Sequence, residues 1–71
     1  MTDELRKEIN ETLHLVYNAL INHGYDAIPQ IAGFLATGDE TYITTYDDAR
    51  RSIRKLERDE IMMELLTAYF S

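Results

Sequence analysis

Five of the seven basic residues in this chain, Arg50, Arg51, Arg54, Lys55 and Arg58, fall within nine consecutive positions. Arg50, Arg54 and Arg58 recur every four residues, which on a helix stacks three guanidinium groups along one edge, with Arg51 and Lys55 further round. A guanidinium grips a carboxylate or phosphate through two parallel hydrogen bonds. The row therefore predicts a docking face for an acidic or phosphorylated protein partner. The competing expectation is ion pairing with the neighbouring Asp47, Asp48, Glu57, Asp59 and Glu60, because most surface charge runs are solvated faces.

Other reactive groupings are incomplete. Glu11 and His14 form an E-x-x-H pair, which di-iron bundle proteins use twice but which occurs once here, with His23 nine residues on in a turn. With no cysteine, no metal site is expected. Ser52 and Ser71 have no histidine at a suggestive spacing, and neither a G-x-S-x-G elbow nor a glycine-rich phosphate loop is present. The chain is expected to be non-enzymatic, without cofactor or small-molecule substrate.

The elements that must carry these side chains are helical. From Leu5 the apolar residues Ile9, Leu13, Val16, Tyr17, Leu20 and Ile21 follow a spacing of three and four, predicting a helix from Asp3 to Asn22. Thr2 or Asp3 can cap it, and Gly24 can end it in the turn His23-Gly24-Tyr25. A second helix, capped by Asp26, takes Pro29 in its first turn and stops at Gly38, with Ile28, Ile31, Phe34 and Leu35 as its buried face. Gly33 inside it predicts a backbone or bulky ring packed closely above. Asp39 to Thr45 reads as a tight connector or single helical turn, with a strand as the lesser possibility.

Beyond Thr45 helix propensity continues, but the apolar phase breaks. At about 100° per residue from Ala49, Ile53 and Leu56 lie near 40° and 340°, whereas Ile61, Leu65 and Tyr69 lie near 120°, 160° and 200°. Two helices are expected, about Tyr46 to Glu57 and Asp59 to Phe70, with Asp59 as a candidate cap between them; a single bent helix is the alternative. Residues 1–71 thus form one all-α domain of four to five helices.

So short a chain buries only about 60% of the surface its unfolded form exposes, and it has no disulfide to help. Ile61, Met62, Leu65, Leu66, Tyr69 and Phe70 leave the last helix apolar around most of its circumference, predicting a homodimer seam. The net charge of −6 opposes nucleic-acid binding. No apolar run reaches the ~20 residues of a bilayer span, nor does the N-terminus resemble a signal peptide, so no membrane contact and a cytoplasmic location are expected.

Two blocks carry a family likeness. One runs Gly24-Tyr25-Asp26-Ala27-Ile28-Pro29-Gln30-Ile31-Ala32-Gly33-Phe34-Leu35-Ala36-Thr37-Gly38-Asp39 and on to Thr41-Tyr42-Ile43-Thr44. The other runs Asp48-Ala49-Arg50-Arg51-Ser52-Ile53-Arg54-Lys55-Leu56-Glu57-Arg58-Asp59-Glu60-Ile61, through Glu64-Leu65 to Tyr69. Together they resemble the IreB family, also called ReoM. The resemblance implies a small helical homodimer, substrate of a membrane Ser/Thr kinase with PASTA domains, acting as an adaptor towards a Clp protease. In that role it controls turnover of the enzyme that commits UDP-N-acetylglucosamine to peptidoglycan. Arg50, Arg54 and Arg58 match family arginines. Ala27, Pro29, Glu40 and Thr45 depart from the family pattern, Thr45 where a basic residue is common. Family members also carry a longer N-terminal tail with the phosphorylated threonine, and Thr2 is the one threonine ahead of the first helix here, as phosphate acceptor or as cap.

Two functions follow. The first is a regulatory adaptor acting through protein contacts. The second is a small helix-turn-helix nucleic-acid binder using the Arg50–Arg58 face, which the acidic balance disfavours.

Overall fold

The computed structural model describes residues 1–71 as four helices without a strand. Helix α1, Asp3–Asn22, begins where Thr2 Oγ1 accepts the Leu5 N–H at 3.1 Å, with Asp3 and Glu4 at the positive end of its dipole. It ends through two reverse bonds, from the Tyr25 N–H to the Leu20 carbonyl and from the Gly24 N–H to that of Ile21. Helix α2, Ala27–Thr37, starts at Asp26 and keeps Pro29 within its first turn. These boundaries agree with the apolar spacing and the cap residues.

Twenty residues give α1 a length of about 30 Å, close to the 31 Å long axis of the molecule. All three other helices lean on it. Its contribution to the core is Ile9, Val16, Ala19 and Leu20, which meet Ala27 and Phe34 of α2, Ile43, Ala49, Ile53, Leu56 and Ile61. Leu5 and Leu13 are half-buried at the margins, whereas Tyr17 and Ile21, also on the expected stripe, stay exposed. Ile28 is a correction: it is 66% exposed, and only Phe34 of the four residues assigned to the inner face of α2 is fully covered. With only α1 and the connector packed against it, an 11-residue helix buries a narrow stripe and turns the rest outward.

The connector is a 3-10 turn, Glu40–Tyr42, whose Asp39 carboxylate accepts the Thr41 N–H at 3.0 Å. It folds back over α2. The Gln30 amide donates to the Tyr42 carbonyl at 3.0 Å, and the Tyr42 ring lies against Gly33. A Cβ on Gly33 would stand 2.5 Å from that ring, so the mid-helix glycine does mark a close approach.

The third helix is shorter than expected. Tyr46–Asp48 is a second 3-10 turn, with Asp47 and Asp48 both left-handed at φ 57° and 59°, and α3 proper runs Ala49–Arg54. Aspartate tolerates this region better than most residues, and the pair reverses the chain before α3. The phase break also holds. The N–H groups of Lys55 and Leu56 make tightened bonds to Ser52 and Ile53, Glu57 is extended, and α4 occupies Arg58–Phe70. Glu57, not Asp59, is the residue at its N-cap; the Asp59 carboxylate instead accepts the Glu60 N–H at 2.9 Å.

Gly33→Ala tests the close approach. Overpacking costs about 1–3 kcal/mol, against a helix-propensity gain of up to about 1 kcal/mol. A net loss is expected, lowering the thermal midpoint by roughly 4–8 °C per kcal/mol, and Gly33→Ala combined with Tyr42→Leu should recover most of it. A midpoint raised by Gly33→Ala alone contradicts the packing.

Candidate functional site

The arginine row lies along α3 and its junction with α4, and its closest partners lie across the fold rather than among the adjacent acids. Arg54 makes a bidentate pair with Glu40, Nε to Oε2 at 2.9 Å and Nη2 to Oε1 at 2.7 Å. Arg50 Nε donates to the Ile43 carbonyl at 2.9 Å. Arg58 Nη1 donates to the Leu35 carbonyl at 3.0 Å, placing its positive charge at the carbonyl end of α2. Three guanidinium groups thus reach across to the connector and the end of α2. The Arg58 group also covers Gly38, whose left-handed φ of 76° ends that helix and where a Cβ would come within 2.9 Å of the guanidinium carbon.

The local ion pairs expected from sequence are nearly absent: among the nearby acids, only Asp48 pairs, loosely, with Arg51 at 3.9 Å. Arg51 and Lys55 are exposed, and Lys55 makes no ion pair. They are the members of the row with most freedom to meet a partner. For Arg50, Arg54 and Arg58, any partner must share guanidinium groups already holding the fold.

These contacts set the acid–base behaviour of the connector. Hydrogen bonding to Arg54 lowers the Glu40 carboxyl, with the charges of Arg54 and Arg50 adding to it, while the Thr41 hydroxyl and N–H lower that of Asp39. The same pairing raises Arg54 further above its ordinary value.

Sequence reasoning did not single out Glu64. It is 5% exposed, faces inward from α4, and accepts from Arg6 Nε at 2.8 Å and Asn10 Nδ2 at 3.0 Å, two residues of α1. The hydrogen bond from Arg6, then that from Asn10, holds its carboxyl below the ordinary value. Its place among apolar neighbours on α4 and the i, i+4 spacing of Arg6 and Asn10 were the available signals.

Of the expected dimer residues, Ile61 belongs to the chain's own core, with no exposed surface, and is corrected to a core residue. Met62, Leu65, Leu66, Tyr69 and Phe70 are exposed, the last two at 80% and 78%, and the two rings pack edge to face. Beside them an open apolar groove of about 430 Å³ runs between α1, α2 and α4, floored by Leu13, Tyr17, Ile28, Ile31, Leu35 and Leu65. The groove went unseen because Tyr17 and Ile28 were assigned to the core. His14 sits on its rim, exposed, with Nδ1 2.7 Å from the Asn10 carbonyl, and no cluster of three metal-ligating side chains forms around it or Glu11. No helix is long and apolar enough to cross a membrane.

An acidic all-helical chain with its arginines tied into the fold and an uncovered apolar groove has the makings of a small regulatory protein, built around contact surfaces. A family model for IreB regulatory phosphoproteins matches residues 1–71. A UPF0297 protein of Clostridioides difficile (strain 630) is 46% identical over 68 residues, covering 96% of this chain and 80% of that protein. The chain belongs to the IreB family, and its role is regulatory.

Glu64→Gln should weaken the α1–α4 tie, because the amide turns one donor towards the two donors of Arg6 and Asn10. A carboxyl lowered on folding contributes stability that is present above the ordinary value of 4.5 and lost as the pH falls through the lowered one. The variant should therefore unfold at lower urea concentration than wild type at pH 7, with the gap closing in strong acid. A gap equally wide at both ends refutes the assignment.

Proposed function

We propose that this chain is a non-enzymatic adaptor that controls peptidoglycan synthesis through protein contacts. It would do so in a kinase-regulated pathway leading to Clp-dependent turnover of the enzyme that commits UDP-N-acetylglucosamine to the wall. The observation that carries the reading is family membership along the whole chain. The physical character of the surface favours it too. The net charge of −6 opposes a phosphate backbone, and a recognition helix would need arginines that here serve Glu40 and two backbone carbonyls.

Two faces would do the work. Arg51 and Lys55, with the outward edges of Arg50, Arg54 and Arg58, form the cationic face for an acidic partner. Met62, Leu65, Leu66, Tyr69 and Phe70, with the adjoining groove, form the seam for a second copy of the chain. A standard interface covers about 800 Å² per partner, roughly a sixth of the 4909 Å² the single chain exposes. Large exposed apolar side chains of the last helix lie beside the groove residues Tyr17 and Ile28 on this side.

Sedimentation at micromolar concentration should give twice the chain mass for wild type, and the monomer mass with helix content retained for Leu65→Glu. A wild-type monomer would remove the seam. In cells, deleting the gene should change the abundance of the committing cell-wall enzyme, and an allele carrying Arg51→Glu and Lys55→Glu should reproduce the deletion. An unchanged abundance in the deletion strain defeats the adaptor reading.

A further inference from the structure

We propose that Arg54 is a carboxylate-binding site which the chain keeps filled with its own Glu40. A carboxylate-rich segment of a partner protein docks there by displacing Glu40. The inference rests on the reading of α3 as a cationic face for an acidic partner, and adds the contact that holds that face closed. The ligand chemistry is visible in the structure. Arg54 holds the Glu40 carboxylate by both oxygens, Nε to Oε2 at 2.9 Å and Nη2 to Oε1 at 2.7 Å. This is the fork geometry with which a guanidinium binds a carboxylate from any source.

The three arginines of the row are not equally free to exchange partners. Arg50 and Arg58 donate to backbone carbonyls, of Ile43 and Leu35, whose positions the fold sets. Arg54 alone of the three holds a side chain. Both halves of its pair reach solvent, Arg54 with 57% of its side chain exposed and Glu40 with 39%. An ion pair so exposed adds little to stability, because water receives the separated groups almost as well. Opening it leaves the connector in place: the Gln30 amide still holds the Tyr42 carbonyl, Arg50 still holds that of Ile43, and the Ile43 side chain stays buried.

A tethered carboxylate is a strong competitor, present at an effective concentration on the order of millimolar. Glu40, however, fills one fork and no more. Arg51 precedes Arg54 by three residues and so lies beside it on α3, and Lys55 follows directly. Both are exposed, and neither pairs with Glu40. A partner segment with several consecutive carboxylates engages these charges together with the Arg54 fork, and the sum displaces the single tethered group. An isolated carboxylate lacks the added contacts and leaves the pair closed. Glu40 thereby makes the face selective for runs of acid over single acidic side chains.

Binding of a fluorescently labelled octaglutamate peptide to the full chain, followed by anisotropy, tests the proposal. Glu40→Gln is expected to bind several-fold more tightly than wild type, with helix content unchanged. Glu57→Gln removes the same charge from an exposed side chain that pairs with no arginine and caps nothing, and it should bind as wild type does. Adding Arg54→Lys to the Glu40→Gln chain keeps the positive charge but removes the fork, and should return the affinity to the wild-type level. Equal binding by Glu40→Gln and Glu57→Gln overturns the latch and leaves the cationic face standing, as does a gain that survives Arg54→Lys. Absence of binding by wild type and by every variant defeats the cationic face and the latch with it.

Discussion

The buried stripe of α1 has to serve three helices at once, and the rest of the structure depends on how it divides. Ile9 lies inside the molecule with Ile61 of α4, while Val16, Ala19 and Leu20 fill the same core with α2 and α3 residues. A 71-residue chain has no second layer to close over the outer faces of its helices. What α1 does not cover remains open, and Ile28, Tyr17 and Leu65 are open for that reason.

Division of the core around one helix also explains where the arginines go. The connector from Asp39 to Thr45 contributes one large buried side chain, Ile43, too little to hold seven residues by burial alone. Arg50, Arg54 and Arg58 supply the remainder, each reaching a group 7, 14 or 23 residues earlier in the chain. A bidentate pair with Glu40 fixes orientation as well as distance. The cationic edge is thus a fastening for the connector, and it leaves Arg51 and Lys55 as the unfastened charge.

Features governed by spacing along one helix were legible in the sequence. The bounds of α1, the stop at Gly38, the ring over Gly33 and the break between α3 and α4 all follow from local period, caps or a phase jump. Features decided by which elements meet were not. The partners of the arginines lie outside the three- and four-residue neighbourhood, where helix-face reasoning looks. The exposure of Ile28 depends on which face of α2 is left uncovered by α1 and the connector, and Ile61 was assigned to a dimer seam because its helix is apolar around most of its circumference. The left-handed pair Asp47 and Asp48 satisfies helix propensity on paper while the chain reverses there instead.

The helix with the most apolar circumference is anchored by its buried charge. An α4 held by apolar contacts alone could roll about its axis, since Met62, Leu65, Leu66 or Tyr69 would fill a greasy interface about as well as Ile61. Glu64 removes that freedom: only one rotation brings its carboxylate to Arg6 and Asn10, and any other leaves an unpaired acid against the core. Fixing Glu64 inward fixes Leu65 at the groove and sends Tyr69 and Phe70 outward. The polar contact therefore determines which apolar surface the molecule presents. An interface built on that surface inherits its orientation from the bond between α1 and α4.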